Sequence, residues 1–164
     1  MNQQGAALLM VLVSVALLGL MAGIAGSSWQ TIVQRAKEAD LLWKGNQICR
    51  AIDSYYHATG GKSATPGVLP SKLDHLLLDP RFLEVKRHLR QLYPDPMTGN
   101  EWEIIKDSVG RIAGVKSGST KTPFKQDGFT EQNKHFVGKQ SYQEWLFVYN
   151  FDKQTGLVMQ PPKD

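Results

Sequence analysis

Apolar and polar positions divide the chain into stretches of different period. Residues 6–24 form a run of nineteen without a charged side chain, and Ser14 is the only polar residue among them. As a helix, a run of that length matches the hydrocarbon core of a bilayer, where every backbone amide must find its partner within the segment. From Ser27 to about Tyr56 the period is that of an amphipathic helix. Trp29, Ile32, Val33 and Ala36, then Leu41, Leu42, Ile48, Ile52, Tyr55 and Tyr56 recur mostly at three- and four-residue intervals. Arg35, Lys37, Glu38, Asp40, Lys44, Arg50 and Asp53 fill the other face. No proline occurs before Pro66, so one helix is predicted through both stretches, closing at Thr59-Gly60-Gly61 with glycine as the cap. Gly19, Gly23, Gly26 and Gly45 each weaken it by roughly 1 kcal/mol relative to alanine and mark places for a bend or a close approach. Gly19-Leu-Met-Ala-Gly23 also has the small-xxx-small spacing that favours helix contact in lipid.

Beyond Pro66 the pattern shortens. Ser71-Lys-Leu-Asp74 reads as a capping box that opens a short helix through Leu78. Asp79-Pro80 reads as the cap and first turn of another, with Phe82, Val85, Leu89 and Leu92 inward and Pro94 as the stop. Asp95-Pro-Met-Thr-Gly99 is a turn, and residues 102–105 and 111–116 are strands joined by a second turn at 107–110, which predicts a hairpin. Residues 117–140 are polar and without period, as in a long surface loop. Residues 142–151 carry the strongest strand signal, and a turn at 152–156 leads to a last strand at 157–160. The expected fold class is α+β: a long N-terminal helix, membrane-spanning in its first half, packed on a small antiparallel sheet.

Composition narrows this little. Of 164 residues, about 140 remain once the first ~25 are assigned to membrane, which suits a single domain. The net charge of +4 is mild. Basic residues gather at Arg81, Lys86, Arg87, His88 and Arg90, where a contact with anionic lipid or nucleic acid competes with the plainer solvated face of a helix. No aromatic residues interleave there to stack bases, so no nucleic-acid partner is expected. Cys49 is the only cysteine, which excludes an intramolecular disulfide and a cysteine metal cluster; on an apolar stripe it reads as a small buried hydrophobe.

Candidate chemistry is sparse. His57, His75, His88 and His135 form no metal-ligand spacing. Asp53 and His57 lie four apart on one helix face, a pair that reads as local helix support before a catalytic dyad. Asp95, Glu101 and Asp107 bracket a turn and are the residues that would gather round a calcium ion, although ordinary turn residues are preferred and no cofactor is otherwise expected. Nothing in the pattern indicates an enzyme.

Two parts of the chain resemble the type IV pilin-like family, and within it the pseudopilins of type II secretion. One is Gly5 followed by Ala-Ala-Leu-Leu-Met-Val-Leu-Val, similar to a prepilin peptidase site. The other is Leu69-Pro70 with Leu73, then Asp95-Pro-Met-Thr-Gly99, Trp102 and Gly110-Arg-Ile-Ala-Gly114, similar to the proline loop, turn and following sheet of a major pseudopilin head. The resemblance implies a leader at 1–5, cleavage between Gly5 and Ala6, N-methylation of Ala6, a membrane and filament-core segment at 6–26, and a head at 27–164. It implies a structural subunit of a pilus-like assembly in the bacterial inner membrane, single-pass, with the C-terminal head in the periplasm. Its partners would be other pilin-like subunits and the prepilin peptidase. The family usually places phenylalanine first and glutamate fifth in the mature chain, where Ala6 and Met10 stand here. Met10 avoids an uncompensated buried carboxylate and cannot recruit a neighbour's terminal amine. The leader also lacks lysine and arginine, and the nearest basic residues, Arg35 and Lys37, follow the span, where the positive-inside rule would place them before it.

Two other readings stay open. In one, residues 1–25 are an ordinary signal peptide with small residues at Gly23-Ile-Ala25 before a cut at Gly26, releasing a periplasmic binding module. In the other the chain is membrane-anchored and never polymerises.

Overall fold

Helix α1 spans Gln3–Tyr56 without interruption, as the absence of proline predicts. The computed structural model describes residues 3–59 and 67–149; the side chains of residues 3–4 and 22–28 lie outside that description. By its contacts the chain divides into two units, Met1–Ala36 and Lys37–Asp164.

In the first unit every described side chain from Gly5 to Met21 is exposed. Among the described residues no helix is long and apolar enough to cross a membrane.

The second unit holds the core. Leu41, Ile48, Ile52 and Tyr55 of α1 are buried at alternating helical intervals, with Cys49 and Ala51 beside them. They belong to one cluster with Trp102, Ile112, Ala113 and Val115 of the hairpin and with Phe136, Tyr142, Trp145 and Phe147. The sheet has three antiparallel strands in the order β1 (Glu103–Lys106), β2 (Ile112–Lys116), β3 (Phe147–Val148). Ile104 pairs with Val115 and Val115 with Phe147, and a register shift falls between Ile105 and Lys106. The predicted turns form as expected: Gly99 and Gly110 take φ of 77° and 83°, accepting a backbone that other residues resist. Their amides donate to the carbonyls of Asp95 and Asp107 at 2.7 and 3.1 Å.

Four expectations are corrected. Helix α2 is one turn, Asp74–Leu77, and its N-cap is Leu73 with no side-chain cap, so Ser71 does not form the capping box. Residues 79–92 are not helical. The Asp79 carboxylate turns back to accept from the Arg81 amide at 3.0 Å, and the amides of His88 and Leu89 both donate to the Leu76 carbonyl, so polar partners displace the helical ladder. Leu89 is buried, but Leu83 and Val85 are exposed. Residues 117–140 are not merely a surface loop: they include a 3-10 helix, Glu131–Phe136, and bury Ser117, Ser119, Asn133 and Phe136. The long strand expected at 142–151 is a 3-10 turn, Tyr142–Glu144, followed by the two residues of β3. The expected helix cap at Gly60-Gly61 and the turn and strand at 152–160 lie outside the described residues. The coarse expectation, α+β with an N-terminal helix and a small antiparallel sheet, agrees with the structure.

Candidate functional site

The residues expected to serve processing and assembly, Gly5, Ala6 and Met10, sit on α1 within the first unit. Gly5 and Ala6 are exposed within the helix, and a side chain built at Gly5 would meet nothing within 4 Å. Met10 is 73 % exposed, and around it Leu8, Leu9, Leu12, Leu17, Leu18 and Leu20 are each more than half exposed. The Ser14 hydroxyl donates to the Met10 carbonyl at 2.8 Å, so the lone polar side chain of the run is satisfied by its own helix. No described residue of this stretch is covered.

The candidate chemical residues are dispersed over the second unit. Cys49 is buried and burial pushes its thiol up to about 12, which removes the thiolate that reactivity needs. His57 Nδ1 lies 3.2 Å from an Asp53 carboxylate oxygen on an exposed helix face, the expected local pair. The Tyr149 hydroxyl beside it is pushed up to about 12 by burial and by the Asp53 charge. The structure does not assemble Asp95, Glu101 and Asp107 into a metal cage. Asp95 is fully buried and accepts from the Met97 and Gly118 amides and from the Thr98 and Ser117 hydroxyls, at 2.8–3.2 Å. Asp107 accepts from the Val109 and Arg111 amides within its own turn. Among the described residues no group of three histidine, cysteine or acidic side chains is placed to hold a metal ion.

The basic cluster is also redistributed. Its members Arg81 and His88 do not line a solvated face; their side chains are 10 % and 1 % exposed and close on the fully buried carboxylate of Asp79. Arg81 Nε and Nη2 donate to the two Asp79 oxygens at 2.9 and 2.7 Å, and Nη2 also donates to the Tyr55 carbonyl at 2.7 Å. The guanidinium lies 3.6 Å from the centroid of the Tyr55 ring. His88 Nε2 is 3.1 Å from Asp79, and Nδ1 is 2.8 Å from the Ser54 hydroxyl. With an ionised Asp79, Nε2 carries the proton and donates, and Ser54 donates to Nδ1. Burial alone would raise the Asp79 carboxyl, but the bonds from Arg81 and His88 outweigh it and hold it at about 2. Burial lowers His88 below its ordinary value against the pull of Asp79.

This clasp fastens residues 79–88 to the end of α1, and sequence reasoning missed it. In the sequence Asp79 reads as a helix cap and Arg81 and His88 as outward charges of that helix, and the spacing of Asp79 and Arg81, two apart, fits no helical pair. A second buried acid is Glu38, which the sequence pattern puts on the polar face of the helix. Its Oε1 accepts from the Lys125 amide at 3.0 Å and the Tyr142 hydroxyl at 3.1 Å, tying α1 to the segment after β2. No protein-family model, no curated protein and no solved structure matches this chain.

Proposed function

We propose that this chain is a structural subunit of a pilus-like assembly, of the pseudopilin kind, anchored in the bacterial inner membrane with its C-terminal head in the periplasm. One observation carries the reading. A single helix, Gln3–Tyr56, leaves its described apolar side chains from Ala6 to Met21 uncovered and contributes the central stripe of the head's core at its other end. Lipid covers such a surface before assembly, and apolar helices of neighbouring subunits cover it afterwards. The charge-free run of residues 6–24 in the sequence supports the anchor, and Gly5 before it supports processing between Gly5 and Ala6 with methylation of Ala6. Met10 in place of the usual acid makes it a subunit that joins a filament without pairing a neighbour's terminal amine. The subunit has no catalytic role and no cofactor in this reading.

The mature N-terminus tests it. In cells with an active prepilin peptidase, mass spectrometry of the membrane-bound protein is expected to find a chain beginning at N-methylated Ala6. An intact Met1 removes the processing claim. A soluble chain beginning near Gly26 selects the secreted binding module instead.

A further inference from the structure

The clasp described above links a serine, a histidine and an aspartate in one chain of hydrogen bonds. Ser54 is exposed in the last turn of α1. A helical serine commonly bonds the carbonyl one turn back, as Ser14 does with Met10, but the Ser54 hydroxyl donates to His88 Nδ1 at 2.8 Å. Across the ring, Nε2 donates to an Asp79 oxygen at 3.1 Å. Hydroxyl, base and orienting acid therefore stand in the order that activates a serine, a set recognised by geometry and roles and not by sequence position. The ring is turned relative to the usual serine hydrolase, with Nδ1 toward the hydroxyl and Nε2 toward the acid, and either nitrogen can take the proton. Burial grades along the chain in the required sense. The side chains of Asp79 and His88 are enclosed, while Ser54 is open to an incoming molecule.

We propose that Ser54 is an acyl-acceptor site, its hydroxyl activated by His88 as general base and reactive toward an activated acyl ester. Ser54 Oγ attacks the ester carbonyl as its proton passes to His88 Nδ1. The Oγ–acyl bond forms, the bond to the leaving group breaks, and the leaving group departs with the electron pair. His88 then passes the proton to the leaving group or to water. Asp79 is a positioning residue. Its charge is shared with the Arg81 guanidinium, at 2.9 and 2.7 Å, so its part is to fix the tautomer that leaves Nδ1 to accept. The groups facing the ring are Asp79, Arg81, Lys86 and Tyr55, whose ring stands edge-on with its centroid 5.5 Å away, and burial favours the neutral ring that a base requires. The backbone amides around Ser54 are committed to the helix and do not hold an oxyanion. One acyl transfer per chain is therefore expected and not turnover, with the base alone supplying on the order of 100-fold. All four residues of the clasp lie in the second unit, so the site is independent of the reading of the chain as a membrane-anchored subunit.

Acetylation of the full-length chain in detergent by para-nitrophenyl acetate tests it. Mass spectrometry of the digested protein compares acetyl at Ser54 with acetyl at Ser71 and Ser108, which are exposed serines of the same chain. At neutral pH Ser54 is expected to react on the order of 100-fold faster than either. His88→Gln is expected to bring it down to their rate. The pH profile of the unaltered protein supplies a second readout that needs no variant to fold. A hydroxyl served by His88 reacts at a level rate above the ordinary histidine value of 6.5 and loses that rate below it, as the ring takes up a proton. A hydroxyl without a base gains about tenfold per pH unit throughout, as hydroxide does. Equal rates at Ser54, Ser71 and Ser108 overturn the proposal. So does a His88→Gln chain that keeps its thermal melt and the full Ser54 rate, and so does a Ser54 rate that rises with hydroxide across the whole range.

Discussion

A carboxylate with no exposed surface is tolerated only when its charge is met, and at Asp79 it is met by the Arg81 fork on both oxygens and by His88 on one. Removing the acid leaves the Arg81 guanidinium, itself nearly buried, without its counter-charge. Asp79→Ala is therefore expected to cost about 3–5 kcal/mol, read as a lowered midpoint in urea unfolding. An unchanged midpoint would show that the clasp carries no net stability. The pH dependence follows from the same geometry. Both pKa values are lowered in the fold, so the unfolded chain binds more protons and stability falls as pH falls. The share held by neutral His88 is complete above about 6.5 and is withdrawn as pH drops below it; the share held by Asp79 is complete above about 3.8 and is lost as pH approaches 2. Thermal melts at intervals from pH 8 to pH 3 are expected to show both losses, and His88→Gln to remove the first while keeping the second.

At the level of elements, the approach of α1 to β3 is set by one missing side chain. A Cβ built on Gly45 would lie 2.5 Å from the Phe147 ring. That ring is 2 % exposed and held edge-on by Trp102 and Phe136, at centroid distances of 5.9 and 5.1 Å, so it has no room to retreat. Gly45→Ala gains roughly 1 kcal/mol of helix propensity and sets against it an overpacking cost of about 1–3 kcal/mol. Net destabilisation is expected in urea unfolding; a net gain would mean that β3 shifts freely. The glycine was legible in the sequence as a place of close approach, but not its partner, because a two-residue strand leaves no period to read. The hairpin was legible for the opposite reason: Asp95 and Asp107 with Gly99 and Gly110 are turn chemistry acting within five residues. The helix expected at 79–92 failed because its apolar spacing was genuine while its backbone donors had stronger partners elsewhere, at Leu76 and Asp79. In residues 117–140 the core signal was one aromatic at a time, and Phe136 reaches the centre of the cluster from a 3-10 turn that repeats too few times to register. The exposed apolar surface on α1 was visible as a run of residues. The clasp beneath the loop was not, since it joins Ser54, Asp79 and His88 across distances that no local pattern spans.

For the whole molecule, the distribution of buried surface separates what folds from what associates. Every hydrophobic side chain of the described core belongs to the unit Lys37–Asp164, beginning at Leu41, whereas the described side chains of residues 5–21 are all exposed. A domain is stabilised by the apolar area it buries, and the described core lies within the second unit. The exposed leucines and valines of the first unit favour removal from water by lipid, detergent or another copy. A chain beginning at Lys37 is expected to keep its sheet, its clasp and a cooperative melt within a few degrees of the full-length protein in detergent. It is also expected to be soluble and, at low concentration, monomeric. Circular dichroism melts and sedimentation velocity on the two forms check this directly. A shortened chain that melts without cooperativity would mean that residues 1–36 support the head's core, and one that still required detergent would place the associating surface in the head.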